Sequence, residues 1–498
     1  MRENPSLRSA TKEKVIQPSL WLKRWAVLWS AGFALGVTIF FGSFVYRAWR
    51  VAGLSPGQRI EQAKAMLRFV GDQLRNHNGV EQIEKHLPDA GFVAYMVYGE
   101  ALVNVALANP SDIPKRRQLA EEVQWCLEKL AEREVTDTFP DTQVPHGLFF
   151  LSRRTVLLAG LHLISDTVPY ELSEEYHDNC LLMADAIEAS PHGLLDSFPG
   201  FCWPADTLAA LRCLRLHDEM FGTEYSSTGE KWKSWASGLL ASASSVIPLR
   251  VDSQTGEPVA TGRGSSQAVC LIALRDVDEE LFRQQYQRLR SRFGNSFLGL
   301  RTWREFPEGE EPRNDIDTGP VIHGHGVLAT LIGMIATKLA GDEAAFCGPV
   351  ALIEAIGQPS TNNGMRRYLG GRVLVLDLLV AYALSARPWA KAAGKIRRLA
   401  TSPSRPWLFA AVLLSIPFLT ILTATLRYRK TLRKVQPLSL WHSPSPSSEG
   451  IILFWTQLLL LVSLFFSSLW FPVIWTGYGI VGRAASYVVQ VVKRGRGA

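Results

Sequence analysis

Residues 90–108 read AGFVAYMVYGEALVNVALA, nineteen positions with one charged side chain, Glu100; residues 115–134 follow with KRRQLAEEVQWCLEKLAERE, charged on most turns and apolar along one stripe. A helix apolar nearly all round has to be buried, and a helix with one apolar stripe lies against it with the other face in water. The pair therefore reads as an inner and an outer helix.

The same pairing recurs along the chain. Apolar runs stand at 147–164, 203–216, 265–274, 318–340 and 366–384. Amphipathic runs stand at 59–76, 171–189, 228–244, 278–293 and 341–356. The centres of the apolar runs fall roughly 50 to 60 residues apart, a period that signals a repeat architecture, and strand-like alternation is scarce. Six apolar and six amphipathic helices predict an all-α fold, an (α/α)6 toroid of six helical hairpins over 55–388. An open solenoid of helix pairs is the competing arrangement, but no polar capping pair marks either end.

The flanks differ from this domain. The chain of 498 residues carries a net charge of +7 with pI near 9.1. Residues 1–50 hold 8 Lys/Arg against 2 acids and residues 391–498 hold 14 against 1, leaving 31 against 43 between them. The basic residues thus sit beside long apolar runs, as membrane-edge cations do, which argues against nucleic-acid binding. A basic tail (1–24) precedes a transmembrane helix at 25–49, and a basic linker (389–405) leads to a second at 406–426. A basic loop (427–449), a third transmembrane helix at 450–475 and a tail (476–498) follow; each span is long enough to cross a bilayer. The positive-inside rule puts the N-terminus and the 427–449 loop in the cytoplasm and the 55–388 domain outside it, at a bacterial inner membrane, although the basic stretch 391–405 pulls the other way. Membrane lipids are the expected surroundings; the oligomeric state is not legible. Six cysteines without CxxC or regular pairing read as free core residues.

In a toroid the loops before the inner helices converge on one mouth. Here they read LPDAGF (87–92), DTQVPHG (141–147), DSFPGFCWPAD (196–206), ATGRGSSQ (260–267), RNDIDTGPVIHGHG (313–326) and STNNGMRRYLGG (360–371). Asp206 stands in the first turn of an inner helix, either as a mouth carboxylate or as helix-dipole stabilisation. Of Asp315 and Asp317, one suits an N-cap and the other acid/base work. On a helix His323 and His325 point about 200° apart, so a shared metal is disfavoured. One of them is a candidate acid/base or donor, the alternative being a hydrogen-bonded core histidine. Tyr95 and Tyr98, one turn apart, are candidate cavity walls or core. Trp203 and Cys202 belong to the same mouth, and Arg263 and Arg366 are candidates for an anionic substrate group or for pairing with the domain's surplus acids. No metal-ligand spacing, P-loop or dinucleotide fingerprint is present, and GLSPG (53–57) lacks the preceding strand a nucleophile elbow needs.

The stretches at 95–110, 207–225, 276–293 and 315–346 carry a resemblance: residues 85–385 resemble the bacterial linalool dehydratase/isomerase family. The resemblance implies an (α/α)6 barrel that needs no cofactor and uses acid/base groups, including a cysteine pair, a histidine and an aspartate, on a small terpene alcohol. The family's cysteines fall near Asp196 and Ala205 and its histidine near Arg154, so none of the three is kept; Cys202 is nearby but out of register. The expectation is a membrane-anchored lyase or isomerase acting on a small apolar alcohol or lipid-like substrate. The alternatives are a cell-envelope glycan hydrolase or lyase, with two carboxyl groups about 5 to 9.5 Å apart, and a non-catalytic binding protein whose mouth carboxylates are tied up in caps and ion pairs.

Overall fold

The computed structural model describes residues 20–84, 90–242, 245–310, 319–391, 408–416 and 418–419. Residues 1–19 of the basic tail, Asp315, Asp317, most of the linker, part of the second membrane segment, and all of the 427–449 loop, the third segment and the C-terminal tail lie outside the described residues.

The described chain is predominantly helical. In order it forms α1 (Leu20–Ala52), α2 (Pro56–Asn76), α3 (Gly79–Glu84), α4 (Ala90–Ala108), α5 (Ile113–Leu130), α6 (Arg133–Thr136), α7 (Gly147–Ile164) and α8 (Tyr170–Ala189). Then come α9 (Pro204–Phe221), α10 (Gly229–Leu239), α11 (Gly264–Val277), α12 (Glu279–Phe293), α13 (Val327–Leu339), α14 (Glu343–Ile356) and α15 (Leu374–Ser385). Two compact units divide the chain at Val45/Tyr46 and Phe409/Ala410, and α2 to α15 belong to Tyr46–Phe409.

The apolar runs become the helices α4, α7, α9, α11, α13 and α15, each packing on the next, and α15 packs back on α4. The amphipathic helices lie against them: α2 on α15 and α4, α5 on α4 and α7, α8 on α7 and α9, α12 on α11, and α14 on α13. In α5 the buried residues are Leu119, Ala120, Val123, Cys126, Leu127 and Leu130, a single stripe at helical spacing. Four of the amphipathic helices begin with polar caps: Ser55 accepts from Gln58 N, Asp112 from Lys115 N, Asp278 from Leu281 N and Asp342 from Ala345 N.

Several apolar helices start differently. In α7, α9, α13 and α15 the N-cap residue makes no side-chain cap bond. Neighbouring loops supply carbonyls to α7 and α11, with Leu148 N donating to Asp196 O (3.1 Å) and Gly264 N to Glu305 O (2.9 Å), while Val327 N of α13 donates to Pro320 O of its own hairpin (3.1 Å). The free N–H groups of one helix are thus satisfied by another segment's loop, which draws the loops together.

Four short antiparallel hairpins were not read from the sequence: Arg250–Val251 with Pro258–Ala260, Gly294–Phe297 with Leu300–Trp303, Val321–Ile322 with His325–Gly326, and Ser360–Asn362 with Met365–Arg367. The last two correct the helical reading of 318–340 and 366–384, in which residues 321–326 and 366–367 belong to hairpins. Ile322 pairs with His325 around a two-residue turn in which His323 (φ 48°) and Gly324 (φ 76°) both take positive φ, the backbone of a tight hairpin turn.

The windows Gly91–Ala108 and Gly147–Ile164 are long and apolar enough to cross a membrane, yet 83% and 78% of them is buried against the rest of the domain. In α1, 33 residues long, Leu35 is 61% and Ile39 64% exposed. At about 1.5 Å per residue, α1 spans roughly 50 Å.

Candidate functional site

The loop 196–202 crosses the start of α7. Gly147 takes φ +70°, and a side chain there would collide with Ser197 O, so only glycine lets the two segments touch. Thr142 Oγ1 donates to Asp196 O (3.1 Å) and Asp196 N donates to Gln143 Oε1 (3.0 Å), closing the contact. Two of the predicted mouth loops, 141–147 and 196–206, are therefore neighbours.

This contact sets Ser197 beside Asp206. One carboxylate oxygen of Asp206 accepts from Arg153 Nη2 (2.8 Å) and Nε (3.3 Å), and the other accepts from Ser197 Oγ (2.8 Å). Ser197 Oγ in turn accepts from Trp203 N (3.2 Å). The side chains of Arg153 and Asp206 are 12% and 3% exposed. No hydrogen bond reaches Arg153 Nη1 among the described residues, so the guanidinium keeps a donor available. Arg153 was not among the residues singled out by sequence. It stands four residues after Phe149, on the same face of α7, and Phe149 stacks on Phe198 (5.8 Å) and meets Trp203 edge-on (6.1 Å). Phe198, Trp203 and Phe149 are each partly exposed, and Phe92 from α4 packs behind Phe149 at 5.3 Å. An aromatic wall with one buried, neutralised ion pair beside it is the result.

Cys202 is 1% exposed, and Val251 N donates to its carbonyl (3.0 Å). Burial, then the charges of Asp196, Asp206 and Asp252, push its thiol up. On α11, Cys270 is likewise pushed up to about 12, chiefly by burial. Neither thiol is ready to move protons at neutral pH.

The histidines correct the helical expectation, because the hairpin turn removes them from α13. His323 is exposed at the turn. His325 Nδ1 lies 2.8 Å from Thr302 Oγ1 and 3.1 Å from Asn295 Nδ2. The Asn295 amide is oriented by Ser296 N, which donates to its Oδ1 (2.9 Å). Nδ1 therefore accepts, and the ring proton sits on Nε2. Burial, then Arg304 and His323, lower the His325 pKa, so this imidazole is a neutral donor.

Other predicted residues lie elsewhere. Tyr95 meets Trp125 of α5 edge-on at 5.4 Å, and Tyr98 fills the space left by Gly71 of α2. These two tyrosines share a helix face turned to the amphipathic layer, so they are core; burial raises both phenols, Tyr95 to about 12. Arg366 is not an open anion site either. It pairs with buried Glu354, which also accepts from Tyr368 Oη (2.7 Å). Arg263 precedes α11 and lies over the Phe306 ring at 5.6 Å.

Sequence reasoning also missed two buried charge groups. In the first, Arg212 of α9 donates to Glu100 of α4 (3.0 Å) and Asp276 of α11 (2.8 Å), and Tyr382 of α15 donates to Glu100 (2.8 Å). Trp389 lies 4.1 Å under the Arg212 guanidinium; its backbone N–H bonds to Asp276 (2.8 Å) and its indole to Asn104 (2.8 Å). Four apolar helices and the strap after α15 are pinned there. In the first turn of α15, Asp377 is fully buried, accepts from Tyr368 N (2.7 Å), and leaves Oδ2 without a hydrogen bond. Burial raises it to about 7. The signal for both groups was a lone charge inside an apolar run.

Among the described residues no three His, Cys, Asp or Glu side chains gather as metal ligands. No protein-family model matches this chain, and no curated protein matches it.

Proposed function

We propose that α4, α7, α9, α11, α13 and α15 form the inner wall of an (α/α)6 toroid. In this reading the chain is anchored in a bacterial inner membrane by apolar segments including 25–49, with the domain on the extracytoplasmic side, and works as a lyase or isomerase related to the linalool dehydratase/isomerase family. Its substrate is a small apolar or lipid-like molecule bearing a hydroxyl. The observation that carries the reading is the Arg153–Asp206–Ser197 group set beside the Phe149, Phe198 and Trp203 wall. Aromatic surface suits an apolar body, while a guanidinium N–H and a carboxylate suit one oxygen-bearing carbon. The Asp206 carboxylate would take the proton from the carbon next to the one bearing the hydroxyl as the double bond forms and the C–O bond breaks, and Arg153 would hold the departing oxygen while that proton passes from Asp206 to it, so that water leaves.

One observation favours a second, non-catalytic reading: both Asp206 oxygens are engaged and the residue is 2% exposed. One experiment separates the two. The full chain in detergent is incubated with a panel of terpenoid alcohols, following loss of alcohol and appearance of alkene or rearranged alcohol by gas chromatography and binding by thermal shift. Turnover that Asp206→Asn abolishes supports the enzyme. Binding without turnover that Phe149→Ala weakens supports the binding protein, and neither binding nor turnover overturns both.

A further inference from the structure

Toward the C-terminal ends of α7 and α9, away from the Arg153–Asp206 pair, three histidines meet from three helices. His217 of α9 is 1% exposed, and His177 of α8 and His162 of α7 are half-buried. His177 Nδ1 lies 2.7 Å from His217 Nε2, His217 Nδ1 lies 2.8 Å from Thr223 Oγ1, and Thr223 Oγ1 donates to Asp218 Oδ1 (2.6 Å). Asp218 also accepts from Tyr225 N and Ser226 N, both at 2.8 Å.

The direction of every bond in this chain follows. Asp218 is spent as an acceptor of two backbone N–H groups, so the single Thr223 hydroxyl proton goes to it. His217 Nδ1 must then carry a proton and donate to Thr223. A neutral His217 keeps its lone pair on Nε2, which accepts from His177 Nδ1–H. His177 Nε2 has no partner among the described residues.

A proton on His177 Nε2 would leave every one of these bonds intact. A second has only His217 Nε2 to go to, and the His177 N–H already points there. Two N–H groups would then face each other across 2.7 Å on rings whose centroids are 4.9 Å apart. His162 meets the Phe221 ring edge-on at 5.5 Å, with a buried Nε2 that has no hydrogen bond.

We propose that the His177–His217 contact is an acid-released latch. With His217 neutral, it ties α8 to α9 and to the turn 223–226. When both imidazoles take up a proton, the N–H···N bond is lost, and the end of α9 and that turn come free.

The titratable groups facing the pair are His162 from α7, Tyr176 and Cys180 from α8, Cys213 and Asp218 from α9, and Tyr225 from the turn, where Glu224 is exposed. Burial first, then His177, holds His217 down to about 4, with Asp218 opposing, and burial and then His177 hold His162 down to about 4. Both values lie below an ordinary histidine near 6.5. The opened segment therefore binds protons that the closed one refuses between about pH 6.5 and 4. The latch is at full strength above 6.5 and is lost as pH falls through that window, with the opening constant rising about tenfold per pH unit through His217.

Hydrogen exchange on the full chain in detergent, corrected for intrinsic rates, tests this at pH 7.5 and 4.5. Residues 217–228 should lose at least about tenfold more protection than α11 and α13. His177→Gln, at a half-exposed position, should flatten that difference. A uniform loss across the domain, or a His177→Gln profile equal to the wild type, overturns the latch. Imidazole nitrogen shifts at pH 7.5 give a check without substitution: His217 must carry its proton on Nδ1, and the opposite tautomer also overturns it.

Discussion

Replacing Arg212 by methionine tests how the apolar helices are pinned. The side chain is 4% exposed, holds Glu100 and Asp276 at 3.0 and 2.8 Å, and covers Trp389. Without it, two buried carboxylates on α4 and α11 lose their cation. Removing one partner of a buried ion pair costs about 3–5 kcal/mol, and a desolvated cation–π contact adds up to about 2 kcal/mol. Uptake of a proton by one carboxylate returns part of this, so the expected net loss is about 4–5 kcal/mol. That is a large share of the roughly 5–15 kcal/mol that stabilises a whole domain. Urea unfolding of the full chain in detergent, followed by far-ultraviolet circular dichroism, measures it at pH 7.5. A variant within about 1 kcal/mol of the wild type would mean that water reaches Arg212, and the buried network as described would be refuted.

Two other outcomes follow from particular residues. Asp377 holds its proton up to about pH 7 in the folded chain and to about 3.9 when unfolded, so its contribution falls by about 1.4 kcal/mol per pH unit as pH rises across that window and is constant above it. Asp377→Asn, which keeps an acceptor for Tyr368 N, should gain on the wild type by roughly 3 kcal/mol more at pH 8 than at pH 4.5 in urea titrations; an equal difference at both pH values would contradict the burial. Gly147→Ala adds a side chain at φ +70° against Ser197 O. It should cost at least about 1–2 kcal/mol and disturb the tryptophan fluorescence of the Trp203 region, whereas an unchanged spectrum and stability would separate loop 196–202 from α7.

The helices were legible because burial writes itself into long apolar runs: α4 and α7 occupy the residues 90–108 and 147–164 read from composition. Loops 141–147 and 196–206, each standing before an apolar helix, were expected to lie together on a toroid's geometry, and these two do touch. Side-chain direction was not legible. Arg153 and Arg154 are adjacent, yet one turns to Asp206 and the other to Glu175 and Leu127 O, since successive helix positions differ by about 100°. Tyr95 and Tyr98 share a face, and nothing in their spacing says which layer it meets. The hairpins have strands of two to four residues, too short for a period of two to register, although Asn363-Gly364 was a recognisable turn.

In the proposed toroid the contact of α15 with α4 closes the ring, and there Tyr382 Oη donates to Glu100 Oε2 at 2.8 Å. A double-mutant cycle of Tyr382→Phe with Glu100→Gln, read by unfolding of the full chain, tests that closure. It should return a coupling of about 0.5–3 kcal/mol. Strictly additive effects would mean that the first and last apolar helices do not meet.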